Sequence, residues 1–199
     1  NASTCVAMNR YPTLDENSLS QDQQVIHDAI TNGPRGLVAG PLRVWLQSPG
    51  LATQAQALGQ YARYDSVLPP VLSELVIMVT ARYWSSGFEW SHHAPIAEEV
   101  GVPAKALEAI SQAKCFMFSD AKMQAVFDFA VELHLLKNVS DATYDTALKV
   151  LGLQACVDLV GICGYYTMIS MTINVFDVPD GDGPVLPKLD IALADYFAR

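Results

Sequence analysis

The sequence predicts an all-α protein, a bundle of about seven or eight helices, and three observations support this prediction. Apolar residues recur at helical spacing in most segments, and no long stretch alternates with the period of two that marks a β-strand. Short breaks rich in glycine, proline, serine and asparagine separate these segments. The length of 199 residues fits a single domain, which we expect to span residues 1–199.

Start and stop signals place the helices of the first half of the chain. A polar N-terminal arm, residues 1–20, ends at Ser20, which forms the spacing of a capping box with Gln23. Proline is tolerated in the first turn of a helix, so the Pro69-Pro70 pair marks a helix start. Helices are therefore expected at 21–31, 42–47, 51–64, 70–84 and 88–100.

The second half of the chain continues in the same way. Ser119 and Ser140 are candidate N-caps, and Gly101 and Gly152 each follow the expected end of a helix. Helices are expected at 103–113, 119–137, 142–151 and 154–176. Residues 178–199 form a C-terminal tail that begins with a glycine- and proline-rich turn.

One helix is apolar enough to raise the question of a membrane. Residues 159–176 carry no formal charge. The length of this run is at the lower limit for a helix that spans a membrane. Asp158 and Asp177 flank this run, without the Lys or Arg that commonly anchors a span. A helix that is apolar all round also fits the centre of a bundle, so we expect a buried helix and no membrane partner.

Charge and cysteine usage exclude several classes of function. Lys plus Arg total 12 against 21 for Asp plus Glu, a net charge of −9, so the chain repels nucleic-acid phosphates and no nucleic-acid partner is expected. The cysteines form neither a CxxC pair nor a zinc-finger spacing, which favours reduced thiols in the cytoplasm. They lie at Cys5, Cys115, Cys156 and Cys163.

The side chains suited to chemistry lie in one segment, ELVIMVTARYWSSGFEWSHH. If a helix begins near Ser86, the spacings i, i+3, i+4 and i+7 place Ser86, Glu89, Trp90 and His93 on one face. A carboxylate beside an imidazole is suited to proton transfer near neutral pH, and an indole can pack on a planar substrate. The spacing therefore indicates a candidate site for acid/base chemistry.

Glu74 lies in the middle of the preceding apolar helix, between Leu72 and Leu75. An unpaired carboxylate is costly to bury there, so its expected partner is an imidazole from the neighbouring helix. The alternative is that Glu74 is a solvated edge residue and that Glu89 and His93 form only a surface pair.

Metal and serine-nucleophile chemistry have weaker support. Glu89 and His92 match one half of a helical di-iron site, but the chain has no second copy of that motif. No G-x-S-x-G nucleophile elbow occurs. We therefore expect no metal and no cofactor.

The segment from Glu74 to His93, together with GYYTMISMTIN further on, resembles the carboxymuconolactone decarboxylase family, part of the alkylhydroperoxidase D-like superfamily. The resemblance covers residues 42–177 and implies the all-α bundle of that superfamily. In its peroxidase branch, a glutamate precedes a CxxC pair and a histidine. Here Glu74 and His93 match the first and last positions, whereas Ser86 and Glu89 replace the two cysteines.

The resemblance implies an enzyme that performs acid/base, lyase-type chemistry on a small carboxylated substrate. The expected catalytic residues are Glu74, Glu89 and His93, and the expected substrate-binding residues are Ser86, Trp90 and His92. An alkylhydroperoxidase D-like peroxidase is an alternative that the missing thiol pair disfavours, since that chemistry needs a thiolate. A second alternative is a non-catalytic helical binding protein.

Two expectations concern partners. A substrate carboxylate calls for an arginine, and Arg43, Arg63 and Arg82 are the candidates. The low charged fraction of 17% against an apolar fraction of 51% is typical of chains whose apolar surface is covered by partner subunits. Since the relatives form trimers and hexamers, the resemblance implies a homo-oligomer.

Overall fold

The structure is a computed structural model that describes residues 9–198, and residues 1–8 of the predicted N-terminal arm lie outside this range. The described chain is all-helical, which confirms the predicted class. Within it there are nine α-helices, one for each predicted segment and slightly more than the predicted total of about seven or eight. Their bounds are α1 Gln21–Thr31, α2 Pro41–Trp45, α3 Pro49–Gln60, α4 Pro70–Tyr83, α5 Gly87–Glu99, α6 Ala104–Ser111, α7 Ala121–Leu136, α8 Asp141–Leu151 and α9 Leu153–Val175.

Helix α4 lies at the centre of the bundle. It packs against α5, α7 and α9, and every residue from Leu72 to Arg82 is buried. Pro70 occupies its first turn, where the missing N–H has no intrahelical partner to lose. The neighbours on several sides explain why the apolar residues of this helix form no single stripe.

Helix α9 crosses the bundle beside α4. Among the described helices, it alone is long and apolar enough to cross a membrane by length and composition, and 61% of its most apolar window is buried inside the protein. It contacts α2, α3, α4, α7 and α8. Burial within the bundle therefore accounts for much of the uncharged run that the sequence shows.

Two details differ from the sequence prediction. The N-cap of α7 lies one residue beyond the predicted Ser119, because the Asp120 side chain accepts a hydrogen bond from the backbone N–H of Met123. The tail beyond Asp177 is mostly irregular, yet Tyr196 and Phe197 are buried in the core. Arg82 helps to hold it, donating to the Pro187 carbonyl at 2.8 Å.

A short link brings α4 and α5 side by side. Between them lie Trp84, Ser85 and Ser86, and Ser85 adopts a left-handed backbone conformation with φ of 51°. Pro95 inside α5 has no N–H for the Ser91 carbonyl, and the tail packs closely at this point. A Cβ at Gly183 would meet that carbonyl, so only glycine lets the tail approach α5 here.

Asp158 fixes the segment that follows α3 against α9. This segment begins with a π-helical turn, Tyr61–Asp65, and continues through Val67. The buried carboxylate of Asp158 accepts hydrogen bonds from the Tyr61 hydroxyl at 3.0 Å and from the backbone N–H of Val67 at 2.9 Å. The turn carries Arg63, so this contact also positions one wall of the cavity described below.

We expect Asp158→Ala to lower the free energy of unfolding by about 1–3 kcal/mol, because the part-buried hydrogen bonds from Tyr61 and Val67 to a charged group are lost. Urea denaturation followed by circular dichroism measures the change. Asp145→Ala on the exposed surface of α8 is the matched control and should shift stability by less than about 0.5 kcal/mol. Equal effects of the two substitutions would contradict this account of Asp158.

Candidate active site

A cavity of about 520 Å³ lies between the loop after α1, the π-helical turn, α5, α9 and the C-terminal tail. This volume is within the usual range for pockets that bind small molecules. The chemically distinctive residues in its wall are Arg35, Arg63, Phe88, Glu89, His93 and Tyr166.

His93 and Glu74 form a buried pair between α5 and α4. Nδ1 of His93 lies 2.7 Å from Oε2 of Glu74, and both side chains are at most 5% exposed. The pairing satisfies the carboxylate that the apolar helix would otherwise bury alone. Glu74 does not line the cavity, so it acts on the cavity through the imidazole.

Glu89 lies on the other side of the same imidazole, in the cavity wall. Its Oε2 is 3.3 Å from Nε2 of His93, one helical turn along α5. This oxygen is buried and has no hydrogen-bond partner within residues 9–198. A buried polar atom without a partner is unusual in a protein interior, so Glu89 offers an acceptor that a bound molecule can use.

The two carboxylates keep the imidazole protonated. Burial alone would lower the pKa of His93, but the charge and hydrogen bond of Glu74, together with Glu89, outweigh burial and raise the pKa to about 9. An imidazolium at neutral pH can supply a proton from Nε2 while Glu74 holds Nδ1.

Tyr166 packs against this pair from α9. Its ring lies edge-on to the His93 imidazole, with centroids 5.4 Å apart. Burial, and then the negative charge of Glu89, raise the pKa of the Tyr166 hydroxyl well above its ordinary value. The hydroxyl therefore stays protonated and can donate a hydrogen bond in the cavity.

His92 lies at the rim of the cavity, where its ring stacks on Phe88 with centroids 6.2 Å apart. Desolvation by partial burial lowers the pKa of His92, and the positive charges of His93 and Arg63 lower it further. His92 is therefore neutral at pH 7 and presents a flat, uncharged surface beside the acid/base pair.

Ser86 and Trp90 lie away from the cavity lining. Ser86 is the N-cap of α5 with an extended backbone, so its side chain does not follow the helical spacing on which the prediction depended. Trp90 is 4% exposed and lines a separate groove between α5 and α6. One residue along a helix turns the side chain by about 100°, which takes Trp90 away from the face of Glu89.

Of the three arginines considered for a substrate carboxylate, one lines the cavity and two do not. Arg63 lines the cavity. Arg82 is buried and donates to two backbone carbonyls, and Arg43 lies over the Tyr11 ring at 4.7 Å, so both have structural contacts elsewhere. Arg35 also lines the cavity, and the sequence analysis missed it. Its only sequence signal is a cation within a glycine- and proline-rich loop, a place where binding residues often occur.

The described part of the chain offers neither a metal cluster nor an activated thiol at the cavity. No group of three His, Cys, Asp or Glu residues in this part could hold a metal ion. Cys115, Cys156 and Cys163 line no part of the cavity, and burial raises the pKa of Cys163 to about 12. Cys5 lies outside the described residues.

The raised pKa of His93 predicts that the protein loses stability in alkali. A histidine with a folded pKa of about 9 stabilises the fold below its unfolded value of 6.5, and this contribution disappears as the pH rises through 9. We expect the free energy of unfolding to fall between pH 6.5 and pH 9.5 by at most about 3 kcal/mol from this source. Denaturant titrations at the two pH values measure the fall.

Glu74→Gln should reduce that fall, because the amide cannot stabilise the imidazolium by charge. Glu99→Gln, an exposed position on the same helix as His93, is the control that should leave the pH dependence as in the unmodified protein. An unchanged pH dependence in Glu74→Gln would contradict the ion pair.

Residues 49–132 match the model of the carboxymuconolactone decarboxylase family. No curated protein sequence matches the chain. Among solved structures, a cysteine-to-alanine variant of the debrominase Bmp8 in complex with 2,3,4-tribromopyrrole has a TM-score of 0.69 at 13% identity, over 89% of this chain and 94% of that chain. An uncharacterized peroxidase-related protein from Silicibacter sp. TM1040 has a TM-score of 0.68 at 13% identity, over 86% of this chain and 90% of that chain.

These likenesses confirm the expected all-α fold. The matched segment contains Glu74, Glu89 and His93, and it carries no CxxC pair. Residues 49–132 are therefore similar to the carboxymuconolactone decarboxylase family, and the chain shares its fold with the two solved neighbours.

Proposed function

We propose that the protein is a lyase-type enzyme that uses Glu89 and His93 as an acid/base pair on a small, unsaturated carboxylate. One observation carries the proposal: His93 is held at 2.7 Å by Glu74 and faces Glu89 at 3.3 Å in the wall of the cavity. The match of residues 49–132 to the carboxymuconolactone decarboxylase family model supports the same class of reaction.

A decarboxylation illustrates what these groups do. The bond between the carboxylate and the adjacent carbon breaks, CO₂ leaves, and the electron pair moves into a conjugated carbonyl, which becomes an enolate. In this proposal the Tyr166 hydroxyl, which stays protonated, donates a hydrogen bond to that developing oxyanion. Its protonated state and its position in the cavity wall support this role.

The second step returns a proton to carbon. The proton on Nε2 of His93 passes to the Glu89 carboxylate in the cavity wall, and from Glu89 to the carbon. Solvent then restores the proton of His93, so the net reaction replaces CO₂ by H⁺. Glu74 touches no substrate in this scheme and acts as a positioning residue for the imidazole.

The solved neighbours bear on the choice of chemistry. The debrominase is described with tribromopyrrole, a planar ring, which favours a planar substrate for the same fold. The peroxidase-related neighbour favours a thiol peroxidase as the second candidate. That chemistry needs a thiolate, and Cys115, Cys156 and Cys163 all lie away from the cavity.

The test follows carboxymuconolactone by ultraviolet absorbance and CO₂ release, and other small unsaturated carboxylates by deuterium uptake from D₂O. We expect turnover of at least one of them, and Glu89→Gln and His93→Ala should each lower it by about 10²–10⁴-fold. Glu99→Gln is the matched control and should keep full turnover, since it lies outside the cavity.

Two results would contradict the proposal. The first is the absence of turnover and exchange with every carboxylate, or unchanged turnover in Glu89→Gln. The second is peroxide reduction that disappears on alkylation of the cysteines, which would favour the thiol chemistry instead.

We also propose that copies of this chain associate and that the enzyme acts in the cytoplasm. An exposed apolar stripe runs along α9 at helical spacing and consists of Leu153, Val157, Val160, Met171 and Val175. A stripe of this length is an apolar surface that monomeric proteins rarely leave uncovered. The thiols of Cys156 and Cys163 are free, which is compatible with a reducing compartment.

Sedimentation equilibrium should give a mass that is a multiple of 21.6 kDa at micromolar concentration. Val160→Glu places a charge in the stripe and should weaken the association, whereas Val25→Glu on the exposed surface of α1 should leave it intact. A single-chain mass for the unmodified protein would contradict self-association.

A further inference from the structure

Arg35 is the one cavity cation that a side-chain hydrogen bond holds in place. Its Nη2 donates to the hydroxyl of Tyr165 at 3.1 Å. Its Nε is buried and has no hydrogen-bond partner, and no carboxylate of residues 9–198 forms an ion pair with it. The guanidinium is therefore fixed in the cavity wall with donors and charge that the protein leaves unused.

The contact between Arg35 and Tyr165 fits because residue 59 is a glycine. A Cβ at Gly59 would collide with both the Tyr165 hydroxyl and Nη2 of Arg35. Gly59 is itself buried in α3, and its backbone needs no positive φ. The absence of a side chain therefore makes room for two other side chains to meet.

Tyr165 gives this contact a rigid base. The residue is 1% exposed, and its ring lies edge-on to Trp45 with centroids 6.0 Å apart. The indole of Trp45 donates in turn to Thr172 at 2.9 Å, so the tyrosine and its neighbour are both tied to α9. A side chain packed in this way loses little entropy when its partner binds an anion.

We propose that Arg35 binds the carboxylate of the substrate and that Tyr165, with Gly59, positions it. The inference names the anionic end of the substrate and therefore rests on the proposed function. A guanidinium presents five N–H donors in a planar fork that matches a carboxylate, and Tyr165 occupies only one of them.

Arg63 lines the same cavity but has a different setting. Its guanidinium lies 5.1 Å from the centroid of the Tyr64 ring, and within the described residues no side-chain hydrogen bond fixes it. Arg63 therefore contributes positive charge to the cavity, whereas Arg35 supplies a carboxylate site of defined geometry.

Direct binding tests the inference without any turnover. Benzoate and benzamide have nearly the same planar shape and differ in charge, and isothermal titration calorimetry measures the affinity of each. We expect the unmodified protein to prefer benzoate, and Arg35→Gln to weaken benzoate binding by about ten- to a hundredfold while benzamide binding changes little.

Tyr165→Phe keeps the ring and removes the hydroxyl, so it should reduce the preference for benzoate several-fold without changing benzamide binding. A general loss of structure would weaken both ligands, which separates positioning from folding. Arg35→Lys should keep part of the preference because it keeps the charge without the fork. Arg43→Gln, outside the cavity, is the control that should change neither affinity.

The inference is overturned if the unmodified protein does not bind benzoate at millimolar concentration, or if Arg35→Gln keeps the full preference. A lost preference in Arg35→Gln supports the inference even if no carboxylate is turned over, in which case the proposed chemistry alone is wrong. Turnover that survives with an unchanged benzoate preference in Arg35→Gln would leave the chemistry standing and remove Arg35 from it.

Discussion

The hydrogen bond between Glu74 and His93 is the interaction on which the site depends. A carboxylate in the middle of the central helix is costly to bury unless it is paired, and the partner comes from the next helix, nineteen positions along the chain. The same contact fixes the orientation of the imidazole and keeps it protonated. One buried pair thereby joins two helices and sets the charge of the cavity.

The groups around this pair carry charges of both signs. Glu89 brings a carboxylate to one side of the imidazole, and Tyr166 covers it with an aromatic edge. Arg35 and Arg63 add positive charge to the wall. The cavity wall thus has positive charge on Arg35 and Arg63 and a carboxylate on Glu89, an arrangement that would orient a bound molecule by its charge.

The sequence predicts the local features well and the long-range ones poorly. The helices begin and end within a few residues of the predicted positions, because caps, prolines and glycines act locally. The contact of Glu74 with His93 could be expected from burial cost and from the resemblance. Trp90 could not be placed correctly, since helical spacing alone does not tell which side of α5 meets the core.

Arg35 could not be found by spacing, because the residues that fix it are distant in the chain. Tyr165 lies 130 positions away in the sequence. The need for glycine at position 59 is apparent only from the structure, where the side chains of Arg35 and Tyr165 meet beside it. No periodicity in a sequence encodes such a contact. Arg35 lies in a loop, and the packing of the whole bundle determines its position in the cavity wall.

The site is also divided along the chain in an unequal way. The buried pair of Glu74 and His93 lies within the segment that matches the family model, whereas two residues of the cavity wall lie outside it, Arg35 before it and Tyr166 after it. The cavity is thus built both from the stretch of sequence that the family model covers and from stretches that it does not cover. A substitution at Arg35 therefore changes the charge of the cavity wall without changing any residue of the matched segment.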